Sequence, residues 1–588
     1  MIPFLVGCLF LMYIPGRLHA QNEYPNHQQL GQRLNQLTRS HPQLTRLESL
    51  GKTVGGKDIW MLSIGSGNLS ERPAMALVGG VEGNHMLGTE LALQFAGHIL
   101  SKAISDKETR ALLDSVTFYI FPDMSPDARE QYFRPLRYER FGNANPADLD
   151  RDGRVGEDPY NDLNGDGLIT MMRIKDPTGP WMTHPEDDRI MIKARPEKGE
   201  QGAYLLFSEG IDEDKDGQFN EDGEEGVFFN KNFTFKHPHF TRGAGEHAVS
   251  ELETRAIADF LFSAKNVFAV VSFGPANNLS EPVRYNDREA AGRIPTGWQE
   301  NDVTINQMVS LLYNNTMKDV KNDTDNGNNE LEDDETDNDT AEEGGSNAVN
   351  QPMVDLTSGK GISGSDGDFF QWAYFHYGRF SFSTPGWWVP VPSGQNAGTG
   401  RGQRQQTENH ESEELMFLQW AEKHDIPDVF VPWTRVDHPD FPGRAVEVGG
   451  IAPFVMTNPP FTLTESIAEK HNNFILALAA KRPQTDIINF KTEALGNNLF
   501  RVTAEILNKG DFPSVSQMGQ RNRWVQKVVI RPQLATNQQL LSGNMVEVID
   551  VIESRSSIER SWLVRGRGNF SIRAGSESTG FSEVSVRL

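Results

Sequence analysis

Two side chains able to bind a metal, Glu82 and His85, stand three residues apart in the turn Gly79-Gly80-Val81-Glu82-Gly83-Asn84-His85. The apolar run Ala74-Met75-Ala76-Leu77-Val78 precedes them, and a helical pattern begins at Gly88. A buried strand that ends in a glycine-rich turn before a helix is where open α/β sheets place their chemistry, outside the carboxyl ends of the strands. A carboxylate and an imidazole are donor types that zinc accepts. Catalytic zinc takes three protein ligands and keeps a water that the metal makes nucleophilic near neutral pH. The plain alternative is a hydrogen-bonded polar pair. A second chemistry-bearing region is 148–223, where acids recur at alternate positions before glycine: Asp148, Asp150 and Asp152 before Gly153, then Asp162, Asn164 and Asp166 before Gly167, then Asp212, Asp214 and Asp216 before Gly217. Oxygen donors at positions 1, 3 and 5 with glycine at 6 form the first half of a calcium loop. The twelfth positions are Pro159, Arg173 and Gly223, so no bidentate glutamate closes an EF-hand, and Glu157, Asp158, Glu221 and Asp222 stand nearby to complete the shells. The plain alternative here is a solvated acidic loop.

The elements that must position these groups read as helix and strand in alternation. A helix is expected over His27–Thr38, strands over Leu47–Gly51 and Asp58–Ile64, an amphipathic helix over Thr89–Ile104, and a strand over Val116–Pro122. A helix from Ser250 through Phe262 and a buried strand Val267–Gly274 follow. Ala445–Gly450 reads as strand and turn, and a helix capped by Thr462 and Glu465 ends near Lys481, before Pro483. From about Ile487 the pattern becomes short alternating strands with turns, which reads as a β-sandwich. Residues 323–343 hold eleven acids, no base and only Leu331 and Ala341 as apolar side chains, so 320–350 is expected to be a disordered acidic loop. Residues 391–410, rich in Gly, Gln and Asn, read as another mobile loop.

The net charge of −25 and pI near 5.0 argue against a nucleic-acid surface. Residues 1–20 read as a secretory signal with the apolar core PFLVGCLFLMYI, too short for a membrane span, which needs ~20 residues. A lipid anchor at Cys8 is the alternative use of that segment. Cys8 is the one cysteine, so the chain beyond it has no disulfide, no thiolate metal site and no cysteine nucleophile. A secreted or periplasmic location, at the extracellular surface, is expected.

Several landmarks in order, from 27 to 482, resemble the zinc carboxypeptidases of the carboxypeptidase A-like family. The turn at Glu82 and His85 is similar to that family's His-x-x-Glu metal turn, with the order of the two ligands reversed. Ser125-Pro126-Asp127-Ala128 resembles its Asn-Pro-Asp-Gly turn. Asn230-Lys231-Asn232-Phe233 resembles Asn-Arg-Asn-Phe, in which the Asn-Arg pair grips the substrate's terminal carboxylate; Lys231 keeps the charge without the bidentate fork. Ser250-Glu251-Leu252-Glu253-Thr254 matches the start of a family helix. The resemblance puts Phe273 at the position of the third zinc ligand, and Pro385 at the position of the glutamate that acts as general base. Phenyl and pyrrolidine rings do neither job. Of the substitutes within reach in sequence, His237 and His239 are candidate ligands and Glu447 a weak candidate base.

The fold class expected is therefore α/β: a zinc-carboxypeptidase-like mixed sheet flanked by helices over 21–482, followed by a small all-β sandwich over 487–588. The resemblance implies a secreted family member that is catalytically inactive and binds a peptide end, or a peptide-like ligand, in the old cleft. Two other readings stay open. One is an active metallocarboxypeptidase that hydrolyses C-terminal residues with an unusual zinc site. The other is a calcium-stabilised surface scaffold whose sandwich does the binding.

Overall fold

Six strands make the central sheet, in the order Thr45–Lys52, Asp58–Ile64, Thr117–Phe121, Ala74–Val78, Val267–Phe273 and Phe380–Thr384. The first two pairings are antiparallel and the last three parallel. Ala74–Val78 lies inside the sheet and is buried along its whole length, as its unbroken apolar composition requires. The helices Met86–Ser105 and Thr464–Ala480 pack together against one face, around Leu91, Phe95, Ile467 and Phe474. The helix Leu252–Ser263 and the short aromatic helix Phe369–Phe375 cover the other. In this computed structural model the described residues are 23–318, 361–389 and 412–588, except 150, 152, 225 and 523. The expected signal segment, the acidic loop 320–350, the segment 391–410, Asp150 and Asp152 lie outside the described residues.

Local sequence explains most of these elements. The first helix, His27–Ser40, starts in a capping box in which Gln29 N donates to Asn26 Oδ1 at 2.9 Å and Asn26 N donates to Gln29 Oε1 at 2.8 Å. The last helix of the domain corrects one expectation. It begins at Thr464 after a short 3₁₀ turn, Phe461–Leu463, with no side-chain cap. Thr464 instead turns its hydroxyl onto the Phe461 carbonyl at 2.7 Å, so Thr462 is not the cap.

Residues 148–223, an insertion between the strand Thr117–Phe121 and the helix Leu252–Ser263, hold more regular structure than a solvated acidic loop would. Met171–Lys175, Trp181–Thr183, Met191–Lys193 and Tyr204–Ser208 join Phe430–Val436 and Val446–Ile451 in a second six-stranded sheet. Its small core is Met172, Ile174, Val446 and Val448. Strands of three to seven residues, of which Trp181–Thr183, Tyr204–Ser208 and Phe430–Val436 have no fully buried residue, leave little periodic signal, and the pairing of Val446–Ile451 with Met171–Lys175 spans a long stretch of chain.

Residues 485–587 form two four-stranded antiparallel sheets, with Val502, Ile530, Trp562 and Phe570 between them, as the alternating pattern implies. This sandwich is joined to the first domain by side chains. Phe512 packs against Phe268 and Phe380 with ring centroids at 5.7 and 4.9 Å. Asp302 accepts from Gln517 N at 2.8 Å and Met518 N at 2.9 Å.

Candidate active site

The three parallel neighbours Ala74–Val78, Val267–Phe273 and Phe380–Thr384 end on the same side of the sheet. Their continuations carry Glu82 and His85, Gly274 and Pro275, and Pro385, and all of these line one cavity of about 450 Å³. Asn84, Phe141, Phe228, Asn230, Lys231, Ser365 and Thr457 complete its wall. The first turn can bring its side chains there because Gly79 and Gly83 let backbones meet. A Cβ on Gly79 would lie 2.5 Å from the Gly88 carbonyl oxygen, and one on Gly83 would lie 2.3 Å from the Ala128 methyl.

Glu82 sits half-buried at the cavity wall, and Asn230 Nδ2 donates to its Oε1 at 2.8 Å. Burial pushes its carboxyl up to about 7, against the pull of the Asn230 hydrogen bond and the Lys231 charge. Asn230 is fixed in turn by its Oδ1, which accepts from Phe369 N at 3.0 Å. His85 is the residue before the helix Met86–Ser105 and is buried. Its Nε2 donates to the Pro385 carbonyl at 2.9 Å, while Nδ1 has no hydrogen-bond partner among the described residues. Nδ1 faces Gly88, where a Cβ would come within 2.9 Å of it. Burial drives the imidazole down to about 4, so it is neutral at physiological pH. Lys231 spreads its ammonium over the Phe228 ring at 4.8 Å and donates to the Arg242 carbonyl at 3.2 Å.

This donor set does not fit a catalytic zinc. His85 uses Nε2 as a donor to Pro385, Glu82 accepts from Asn230, and a third ligand is needed beside them. Among the described residues, the one group of three or more His, Cys, Asp or Glu side chains close enough to share an ion is Asp212, Asp214 and Asp216, in the insertion. Pro385, at the expected base position, lines the cavity and contributes only its carbonyl, which orients His85. What the cavity offers is recognition: apolar walls at Phe141, Phe228, Pro275 and Pro385, one cation, one carboxyl that ionises near neutrality, and amide groups.

The other sequence-derived residues are scattered. Phe273 is buried and lies behind the cavity wall, its ring edge-on to His471 at 5.9 Å and its Cβ beside the His85 ring over Gly88. Glu447 is not at the cavity. It lies in the second sheet between Val446 and Val448 and accepts from Arg173 Nε at 2.7 Å, an ion pair that gives it a structural partner. His237 and His239 pack edge to face at 4.6 Å, also away from the cavity lining. In the insertion, Asp148 accepts from Gly153 N at 3.0 Å, Asp162 from Gly167 N at 2.8 Å, and Asp212 from Gly217 N at 3.2 Å, so each first acid closes its own loop.

Sequence reasoning missed the residues that hold the site turn in place. Asn458 receives Leu87 N at 3.0 Å on its Oδ1 and gives its Nδ2 to the Asn84 carbonyl at 2.8 Å, so it caps the helix that His85 precedes. Glu139 accepts from Asn84 Nδ2 and from Phe454 N, both at 2.8 Å. The Asn-Pro-Pro run at 458–460 was the only signal for this contact, and it marks a turn without naming a partner.

Comparison with known proteins agrees with this architecture. The profile of the zinc carboxypeptidase family matches residues 30–384, and that of a domain of unknown function matches 484–587. This chain belongs to the zinc carboxypeptidase family. It is similar to carboxypeptidase E of Caenorhabditis elegans, 30% identical over 156 residues, covering 24% of this chain and 33% of that protein. It is also similar to carboxypeptidase M of Mus musculus, 32% identical over 123 residues, covering 20% of this chain and 28% of that protein. The match thus spans about a third or less of the length of these relatives. Among solved structures, bovine thrombin-activatable fibrinolysis inhibitor in complex with tick carboxypeptidase inhibitor aligns with 13% identity and a TM-score of 0.30, over 50% of this chain and 72% of that one. No helix among the described residues is long and apolar enough to cross a membrane.

Proposed function

We propose that this protein is a secreted or periplasmic, non-hydrolytic member of the zinc carboxypeptidase family that holds the carboxyl end of a peptide in the cavity at Glu82, Asn230 and Lys231. The observation that carries the reading is the bond from His85 Nε2 to the Pro385 carbonyl at 2.9 Å. It turns a former ligand into a structural donor, and it does so through the residue that stands in place of the general base. Lys231, which lines the cavity, is the cation for a terminal carboxylate. The test is calorimetric titration with peptides that end in a free carboxylate and with their amides. The free acids bind more tightly, without release of the terminal residue. Equal affinity for acids and amides refutes the reading.

The competing reading is an active metallocarboxypeptidase, and one observation favours it: the Glu82 carboxyl is poised at about 7, a value suited to proton transfer. Turnover of blocked peptides in the same titrations decides between them. We also propose calcium in the loops at Asp162–Asp166 and Asp212–Asp216; in the second, carboxylate oxygens of Asp212, Asp214 and Asp216 lie within 4.8 Å of one another. This calcium orders the insertion and takes no part in binding at the cavity. The scaffold reading, with the sandwich as the binding module, predicts that surface attachment is lost on removing 487–588.

A further inference from the structure

The C-terminal sandwich carries its charge differently from the rest of the chain. Residues 485–588 hold 13 Lys and Arg against 10 Asp and Glu, in a chain of net charge −25. One of its sheets runs in the order Glu547–Ile549, Val528–Leu534, Asn569–Ser576 and Gly580–Arg587. Ile530, Ile572 and Ala574 point into the core, so the residues between them face outward. On that outer face the register sets Arg531 directly opposite Arg573. Arg587 stands opposite Asn569 on the same face, ~14 Å along the strand from Arg573 at ~3.4 Å per residue. All three arginines are exposed.

Like charges directly opposite on neighbouring strands destabilise a sheet. Among the described residues none of these arginines forms an ion pair. Glu583 is opposite Arg573 in the register, yet the Arg573 guanidinium lies over the Phe581 ring at 4.3 Å. The outer face of the other sheet also opposes two like charges, Glu505 and Glu559, but there the charge is answered. Glu505 accepts from Asn489 Nδ2 at 3.0 Å and from Ser557 Oγ at 3.2 Å, and Arg501 pairs with Glu493 at 3.0 Å. Beside the arginines the sheet edge is apolar and open to solvent. Val548 stands opposite Val529 on the arginine face, and Met545, Val546 and Val548 are 52%, 54% and 57% exposed. Exposed apolar side chains grouped in one short stretch mark an interaction surface, and here they adjoin unanswered cations.

We propose that this face of the sandwich binds an anionic lipid surface, with Arg531, Arg573 and Arg587 against the headgroups and the tip 545–548 in the interface. Guanidinium forks match phosphate oxygens two at a time. Cations near an anionic leaflet and apolar side chains at the headgroup boundary reinforce each other. Charges spread over a flat sheet face suit a plane of repeated phosphates better than one small anion. An acidic polysaccharide would engage the arginines and leave the apolar tip in water, so the tip favours the lipid. The face lies outside the cavity at Glu82 and is independent of the peptide-binding reading. It rests on the reading in which the sandwich is a binding module, and gives that module a surface and a ligand.

The test is sedimentation of the full-length protein with vesicles of phosphatidylglycerol and, separately, of phosphatidylcholine. Binding to phosphatidylglycerol alone, weakened by added salt, is expected. The double variant Arg531→Gln/Arg573→Gln is expected to bind roughly thirtyfold more weakly, at about fivefold for each arginine near an anionic surface. Val548→Ser is expected to weaken binding roughly fivefold, and Arg501→Gln, on the other face, to leave it unchanged. A thermal melt of each variant reports the fold. Should the double variant not fold, Arg587→Gln serves the same comparison with a roughly fivefold loss. Equal binding to both vesicles, or binding to phosphatidylglycerol that the arginine variants leave unchanged, overturns the proposal. So does capture of polygalacturonate without vesicle binding, which assigns the face to an acidic glycan. Surface attachment that is lost on removing 487–588, in a protein that binds no vesicle, keeps the sandwich as a binding module and overturns its lipid ligand.

Discussion

Replacing Glu82 by glutamine should make the protein more stable at alkaline pH and leave it nearly unchanged in acid. In the unfolded chain the Glu82 carboxyl ionises near its ordinary value of 4.5, and in the folded protein at about 7. Between these values the folded state keeps a proton that the unfolded chain has released. Stability therefore falls as pH rises from about 4.5 to about 7 and stays reduced above that. At ~1.4 kcal/mol for each tenfold change in proton affinity the gap amounts to ~3 kcal/mol. Glu82 is open to the cavity on one side, so water screens part of this and ~2 kcal/mol is expected. Glutamine keeps the oxygen that accepts from Asn230 Nδ2, so the variant removes the charge and little else. Urea unfolding of both proteins from pH 5 to 8.5 reads the difference directly; Glu253 and Asp368, also raised to about 7, are common to both and largely cancel. A gap that opens between pH 5 and 7.5, with the variant the more stable, is the expected result. A constant gap, or an unaltered protein that is the more stable at pH 8, refutes the placement of Glu82 as an uncompensated carboxyl.

Other outcomes follow from contacts far from that carboxyl. Phe512→Ala should cost about 3–4 kcal/mol and lower the melting of the α/β domain as well as the sandwich, because Phe512 fills a fully buried place beside Phe268 and Phe380; separate melting of the two domains in calorimetry contradicts that coupling. Asn458→Ala should cost about 1–2 kcal/mol by freeing Leu87 N and the Asn84 carbonyl, and amide exchange should rise at the start of the helix Met86–Ser105. Lys231→Ala should weaken binding of peptides with a free carboxyl end roughly tenfold and leave their amides unaffected; an equal loss for both removes Lys231 from the carboxylate role.

The parts of this protein that could be read from its sequence are those whose cause is local. Ala74–Val78 with Gly79 and Gly80 behind it is a strand and a close-packed turn whatever the rest of the chain does, so Glu82 and His85 were found. The Asn230-Lys231 pair fell in the same cavity because the family pattern fixes its place. What the sequence did not display is the set of partners that decide what those residues do. His85 gives its Nε2 to a carbonyl 300 residues further on, and Asn458 reaches Asn84 across 374 positions. Glu447 drew attention as a carboxylate among valines, and only the second sheet, built from strands too short to announce themselves, brings Arg173 to it. The bridge between Asp158 and Asp222 likewise depends on how two acidic segments close on each other, while the alternating acids around it were plain.

Metal content decides whether the turn at Glu82 and His85 has given up a catalytic zinc. The purified protein is dialysed against a weak chelator, supplied with equimolar zinc, desalted and assayed for zinc per chain, alongside release of C-terminal residues from blocked peptides. Zinc far below one per chain and no release are expected. About one zinc per chain, with peptide cleavage abolished by Glu82→Ala or His85→Ala, contradicts it.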